Sequence, residues 1–180
     1  MKTLHLNSQD NNAIATSAEI LKNGGLVAIP TETVYGLAAN ALDGAAVRKI
    51  FEAKGRPNDN PLIVHVSSLE EIDPLVESVD PRLYKLAEKY WPGPLTIILK
   101  KSDLIPDEVS AGLDTVAIRM PSHETARKII EISGVPLAAP SANASGKPSP
   151  TKAAHVIEDL DGKIDAVVDG GESDVGVEST

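Results

Sequence analysis

The 180-residue chain contains no cysteine, which removes disulfides, thiolate metal sites and cysteine nucleophiles and fits a reducing compartment. Aromatic residues are nearly as scarce, at 3%. A core must then come from Ile, Leu, Val and Ala, which favours a helix-covered sheet over an aromatic-rich β-sandwich. No basic start followed by an apolar stretch opens the sequence, and no apolar run approaches the roughly 18–20 residues that cross a bilayer; the expectation is a soluble, cytoplasmic protein without membrane contact. Basic charge is also short. The 17 Lys and Arg against 26 Asp and Glu leave a net charge of −9, which works against broad contact with a phosphate backbone and confines any RNA contact to a local one.

With 42% hydrophobic residues, the chain can build one sizeable core and is too short for two comfortable domains, so a single domain over 1–180 is expected. Apolar spacing predicts a helix over 12–22 with Asn11 or Asn12 as its cap and Gly24-Gly25 as its stop. Further helices are predicted from Asp43 to Gly55, near 68–78 and 81–90, and over 123–133 and 152–161. Apolar runs predict strands at 26–30, 61–66, 95–101, 115–120, 135–140 and 164–171, those at 61–66 and 135–140 buried, with 102–114 and 141–151 as loops. Strands and helices intermingle, which predicts an α/β fold with a mixed sheet.

The glycine-containing loops invite phosphate-binding templates, and none fits. The stretch SANASGKP has Ser141 where a P-loop needs its first Gly and Pro148 where Ser or Thr should follow Lys147. HETAR has Arg127 where a zinc-protease helix needs its second His. There is no G-x-S-x-G elbow and no G-x-G-x-x-G after a strand. His5, His65, His123 and His155 show no ligand spacing, and His65 within IVHV reads on its own as a strand residue. No metal ligand is assigned.

The informative residues follow the strands. PTETVYG at 30–36, RMPSH at 119–123, PSANASG at 140–146 and GGESDVGVEST at 170–180 each trail an apolar run. In open α/β sheets ligands lie beyond the carboxyl ends of strands, so these loops could share one crevice. KGRPNDNP at 54–61 instead ends a helix: Lys54 and Arg56 can aim at one anion, or can serve as ordinary partners of the helix dipole. Arg119 sits near a sheet end, where either a bidentate substrate carboxylate or phosphate, or an internal Asp or Glu, would satisfy it. Ser141 and Asn143 offer short neutral donors and acceptors, or simple turn chemistry after Pro140. Together the clusters suggest a site for a phosphate-bearing molecule and a small amino or carboxylic acid, without a nucleophile of the protein's own.

In order and spacing, PTETVYGL, KGRP with NPLIVHV, WPGPLT, AGLDTVAIRMPSH, APSANASGKPSPT and GVEST resemble the YrdC-type threonylcarbamoyl-adenylate synthases, from about residue 10 to the last. The resemblance implies a twisted, mixed, open α/β sheet with helices around a concave cavity. It implies an enzyme that joins L-threonine, bicarbonate or carbon dioxide, and ATP into threonylcarbamoyl-AMP, releasing pyrophosphate. Magnesium would accompany ATP. The product would pass to the machinery that modifies the adenosine beside the anticodon of tRNA, with at most a weak tRNA contact here.

Carried over by residue, the resemblance implies Lys54 and Arg56 as the catalytic pair on the ATP phosphates, with Asn58, Thr115, Asn143 and Thr151 also near the nucleotide. Thr31, Thr33, His65, Arg119, Ser141 and Ser179 would surround threonine, Arg119 taking its carboxylate. Thr31 and Thr33 would supply a hydrogen-bond partner and a methyl surface, and Tyr35 either lines the wall or packs. The family pattern continues after EST with a further strand and a later arginine, often followed by another domain, so a fragment lacking these is expected. Two other readings use the same residues: a double-stranded RNA-binding or ribosome-maturation module, and a carbamoyl-transfer domain with carbamoyl phosphate as donor.

Overall fold

Nearly continuous apolar runs call for cover on both faces of a sheet, and its central strands have it while the edge strands stay partly open. A computed structural model describes residues 1–180. In chain order the elements are β1 (Leu4–Asn7), α1 (Asn11–Lys22), β2 (Val27–Ile29), β3 (Gly36–Asn40), α2 (Gly44–Lys54), β4 (Ile63–His65), α3 (Arg82–Tyr90), β5 (Thr96–Lys100), α4 (Asp107–Ser110), β6 (Thr115–Arg119), α5 (Glu124–Ser133), β7 (Leu137–Ala138), α6 (Ala153–Leu160) and β8 (Ala166–Asp169). No helix is long and apolar enough to cross a membrane.

The strands form one eight-stranded open sheet in the order β1-β8-β2-β3-β7-β4-β6-β5. It is mixed: β1, β8 and β2 are parallel, β3 and then β7 reverse direction in turn, and β4 runs antiparallel to β7 but parallel to β6. Alternate residues point to opposite faces. Ala28, Leu37, Ala39, Val64, Ile118, Ala138 and Val167 pack with α2, α3, α4 and α6 in the larger core. Val27, Ile29, Ala38, Leu137, Ala139, Ala166 and Val168 pack with α1 and α5 in the smaller one. Helices α1 and α5 thus cover one face over β8, β2, β3 and β7.

The sequence reading needs several local corrections. The cap of α1 is Asp10, whose carboxylate accepts from Asn12 N at 2.9 Å, one residue before the expected asparagines. The helix expected near 68–78 is two single 3-10 turns, Leu69–Glu71 and Asp73–Leu75; Pro74 lacks the N–H that would extend an α-helix. GLAAN, with its alanines, carries no strand signal, yet Gly36–Asn40 pairs antiparallel with β2 as β3. Edge strand β1 and the single turn of α4 were also not expected. Both are short, and β1 is largely exposed.

Candidate functional site

The loop joining β2 to β3 is held by backbone bonds to the loop after β7: Leu37 N to Pro140 O at 2.8 Å, Ala142 N to Tyr35 O at 2.9 Å, and Tyr35 N to Pro150 O at 2.8 Å. Within it, Thr31 donates its hydroxyl to Val34 O at 2.5 Å and lies 3.0 Å from the Thr33 hydroxyl. With that proton spent, Thr33 must donate to Thr31. The Thr33 oxygen in turn accepts from Arg119 Nη1 at 3.2 Å. Both hydroxyls are therefore committed inside the protein, bracing the loop against Arg119.

Arg119 is 3% exposed and forms an ion pair with buried Glu32. Its Nε also donates to Gly93 O at 3.1 Å. The other Glu32 oxygen accepts from Ser122 N at 2.7 Å and Ser122 Oγ at 2.6 Å. Burial pushes the Glu32 carboxyl up, but the Ser122 hydroxyl and the Arg119 charge outweigh it and hold the carboxyl below its usual range. Of the two partners the sequence left open for Arg119, the internal carboxylate is present. Three of the guanidinium N–H groups are engaged with Gly93, Thr33 and Glu32, which leaves two uncommitted.

Arg119, with Glu32 behind it, borders a cavity of about 180 Å³ whose wall includes Thr31, Thr33, His65, Arg119, Ser141 and Ser179. It does not lie simply beyond strand ends. Ile63 and His65 face it from alternate positions on β4, and His65 is level with Arg119 on β6. Both strands run opposite to β2 and β7, so the hollow lies over the sheet face, past the cover of α1 and α5, with the 30–36 loop folded across it. His65 Nδ1 is 3.1 Å from Ile63 O, so Nδ1 carries the proton and Nε2 is an acceptor. Burial, then the Arg119 charge, pushes this imidazole down to about 4, keeping it neutral.

A second cavity, about 300 Å³, adjoins the first and shares Arg56 and Ser141 with it; Lys54, Asp59, Asn60, Asn143 and Ser145 complete its polar lining. Gly55 ends α2 in the left-handed conformation (φ 66°), turning the chain between Lys54 and Arg56 so that both reach this space. Lys54 is 3% exposed and donates to the Ser141 carbonyl rather than to its own helix end. Burial and the Arg56 charge push it down to about 8, against the pull of Asp159.

Asn143 spends its amide N–H groups on Ala144 O and Lys147 O, each at 2.9 Å, which leaves its buried Oδ1 without a partner. An orphaned acceptor beside two cations suits a polar ligand that brings its own donor, such as a nucleoside, or an oxygen-seeking cation. No group of three or more His, Asp or Glu could hold a metal. Magnesium would enter with a triphosphate, held mainly by phosphate oxygens and water, with Asp59 as the one carboxylate lining this cavity.

The expected residues Lys54, Arg56, Asn143, Thr31, Thr33, His65, Arg119, Ser141 and Ser179 thus meet on two abutting walls. Asn58, Thr115 and Thr151 do not line them. Asn58 is exposed between Pro57 and Asp59, Thr115 pairs with Lys100 at the far end of β6 from Arg119, and the Thr151 carbonyl accepts from Ser173 N at 2.8 Å. Sequence reasoning missed Glu32, Ser122 and Gly93. Their signal was faint: Glu32 stood in a polar loop where a carboxylate is ordinary.

The profile of the Sua5_yciO_yrdC family, described as telomere recombination, matches residues 19–180. A threonylcarbamoyl-AMP synthase of Pyrococcus abyssi is 58% identical over 93% of the chain and 49% of its own length. One of Bacillus subtilis is 54% identical over 96% of the chain and 50% of its own. The crystal structure of P. abyssi Sua5 complexed with L-threonine superposes with a TM-score of 0.95 at 54% identity, covering 100% of this chain and 53% of that one. The chain spans about half the length of these relatives.

Proposed function

Since the chain belongs to the Sua5_yciO_yrdC family, we propose that it carries the threonine- and nucleotide-binding core of an L-threonylcarbamoyladenylate synthase. The observation that carries this reading is the pair of abutting cavities, one cationic and one fit for a small amino acid, joined at Arg56 and Ser141. Similarity to proteins named threonylcarbamoyl-AMP synthase, and to a Sua5 complexed with L-threonine, supports it.

In the proposed reaction, the threonine amine attacks carbon dioxide to form a carbamate. A carbamate oxygen then attacks the α-phosphorus of ATP, and pyrophosphate leaves. No protein nucleophile is required. The chain's part is to hold reactants in line and offset charge, a regime in which proximity and preorganised electrostatics supply most of the rate. Lys54 and Arg56 would take the phosphates, the free N–H pair of Arg119 the threonine carboxylate, and Asn143 Oδ1 a nucleoside donor. Neutral His65 would accept from the substrate amine or hydroxyl through Nε2. Magnesium bound with ATP would add Lewis-acid neutralisation of the phosphates. The self-satisfied hydroxyls of Thr31 and Thr33 leave their methyl groups as the surface for the substrate's methyl, whose loss in serine is worth about 1–3 kcal/mol.

The proposed setting is the cytoplasm, with the product passed to the tRNA-modifying machinery. Neither cavity contains the aromatic stacking surface that an RNA-binding module would use. The test is incubation with ATP, magnesium, bicarbonate and one amino acid at a time, following pyrophosphate and the adenylate by mass. Product with threonine, and much less with serine, is expected; tight RNA binding without any adenylate would overturn the reading.

A further inference from the structure

A carboxylate paired to the wall of a cavity proposed for an amino acid's own carboxylate is at first sight a liability. Glu32 nonetheless stands there, 7% exposed, between Thr31 and Thr33. Both its oxygens are engaged inside the protein: one accepts from Arg119 Nη2, the other from both the backbone N–H and the hydroxyl of Ser122. It does not line the cavity, so it is not placed to meet a substrate amine or a metal. What it can do is hold the guanidinium.

We propose that Glu32 is the positioning residue of the amino-acid site, an internal counterion that fixes the Arg119 guanidinium so that its two uncommitted N–H groups face the substrate carboxylate. This rests on the threonine-binding reading above. Three loops meet at this guanidinium. Glu32 and Thr33 come from the β2–β3 loop, Gly93 from the turn after α3, and Ser122, through Glu32, from the turn after β6. A buried arginine without a counterion would draw in water or swing away, since an unpaired charge is costly there. With Glu32 in place the pair is neutral. Recognition of a carboxylate then depends on the direction of two N–H groups rather than on a bare positive charge, which is the geometry in which arginine outperforms lysine.

The experiment compares threonine with its decarboxylated analogue, measuring binding to the native protein and to Glu32→Gln by calorimetry. A positioning role predicts that the native protein prefers threonine, and that Glu32→Gln loses about tenfold or more of that preference because the analogue never used Arg119. KM for ATP should stay within about twofold, since Lys54 and Asn143 lie in the other cavity. If Glu32 only supports the fold, both ligands weaken together and the preference survives, which overturns the proposal. Should Glu32→Gln fail to fold, Ser122→Ala decides: it removes one donor from the carboxylate and should lower the preference by a smaller factor, and an unchanged preference overturns the proposal. A native protein that binds threonine no better than the analogue would instead overturn the threonine reading itself.

Discussion

Lys54 meets two opposed demands. In the proposed site it must be charged to hold phosphate, yet burial and Arg56 push it down to about 8. A triphosphate across Lys54 and Arg56 gives the ammonium form a partner and raises its pKa again, so at alkaline pH binding takes up a proton. The sign follows. Affinity is complete below about 8, where Lys54 is already charged, and falls as the pH rises through that value. Calorimetry should show nucleotide affinity dropping by up to about tenfold per pH unit above 8, with a proton uptake visible as a dependence on buffer ionisation enthalpy. Lys54→Arg, which keeps its charge throughout, should bind more weakly but with a flat profile. A flat profile in the native protein would place Lys54 away from the phosphates.

At the scale of elements, the 170–180 segment lies over the β2–β3 loop like a strap. Val175 N bonds Glu32 O and Gly176 N bonds Thr33 O, both at 2.9 Å, and Ser173 Oγ donates to Thr31 O at 3.1 Å. Its root is pinned by Tyr35, whose hydroxyl accepts from Gly170 N at 3.1 Å and donates to Gly171 O at 2.7 Å. The aromatic that the sequence allowed as either wall or packing is fully buried, and its polar tip anchors the strap. Tyr35→Phe leaves both backbone groups without that partner, so denaturant unfolding should show a loss of about 1–2 kcal/mol. Because Glu178 and Ser179 reach the amino-acid cavity at the strap's far end, KM for threonine should rise more than KM for ATP. Unchanged stability together with unchanged threonine KM would mean the anchor is dispensable.

For the whole molecule, the abutment of the two cavities predicts how substitutions combine. Lys54 belongs only to the cationic cavity and Arg119 only to the amino-acid cavity, whereas Arg56 lies on both walls. Lys54→Ala should raise KM mainly for ATP, and Arg119→Ala mainly for threonine. Arg56→Ala should raise both and also lower kcat by about a hundredfold, because charge at the junction develops in the transition state. If Arg56→Ala affected one substrate alone, the two cavities would not act as one site. The net charge of −9 does not oppose this arrangement: two cations gathered in one hollow set the local field whatever the remaining surface carries.

The sequence by itself determined what few residues can encode. Apolar runs announced six of the eight strands, Asp43 and Gly55 bounded α2 as the cap and stop they are, and short blocks such as PTETVYGL and KGRP carried the family resemblance. It did not reveal β3, because a run of small residues takes its pairing from its neighbour rather than from its own propensity. Only the tertiary structure decided which way β4 and β6 run, that the hollow opens over the sheet face, and that Arg119 spends part of its hydrogen-bonding capacity on Glu32. That last contact joins residues 87 apart in the chain. Caps, turns and hydrophobic period are settled by neighbours in sequence, whereas the partner of a buried charge is settled by which loops the packed core brings together.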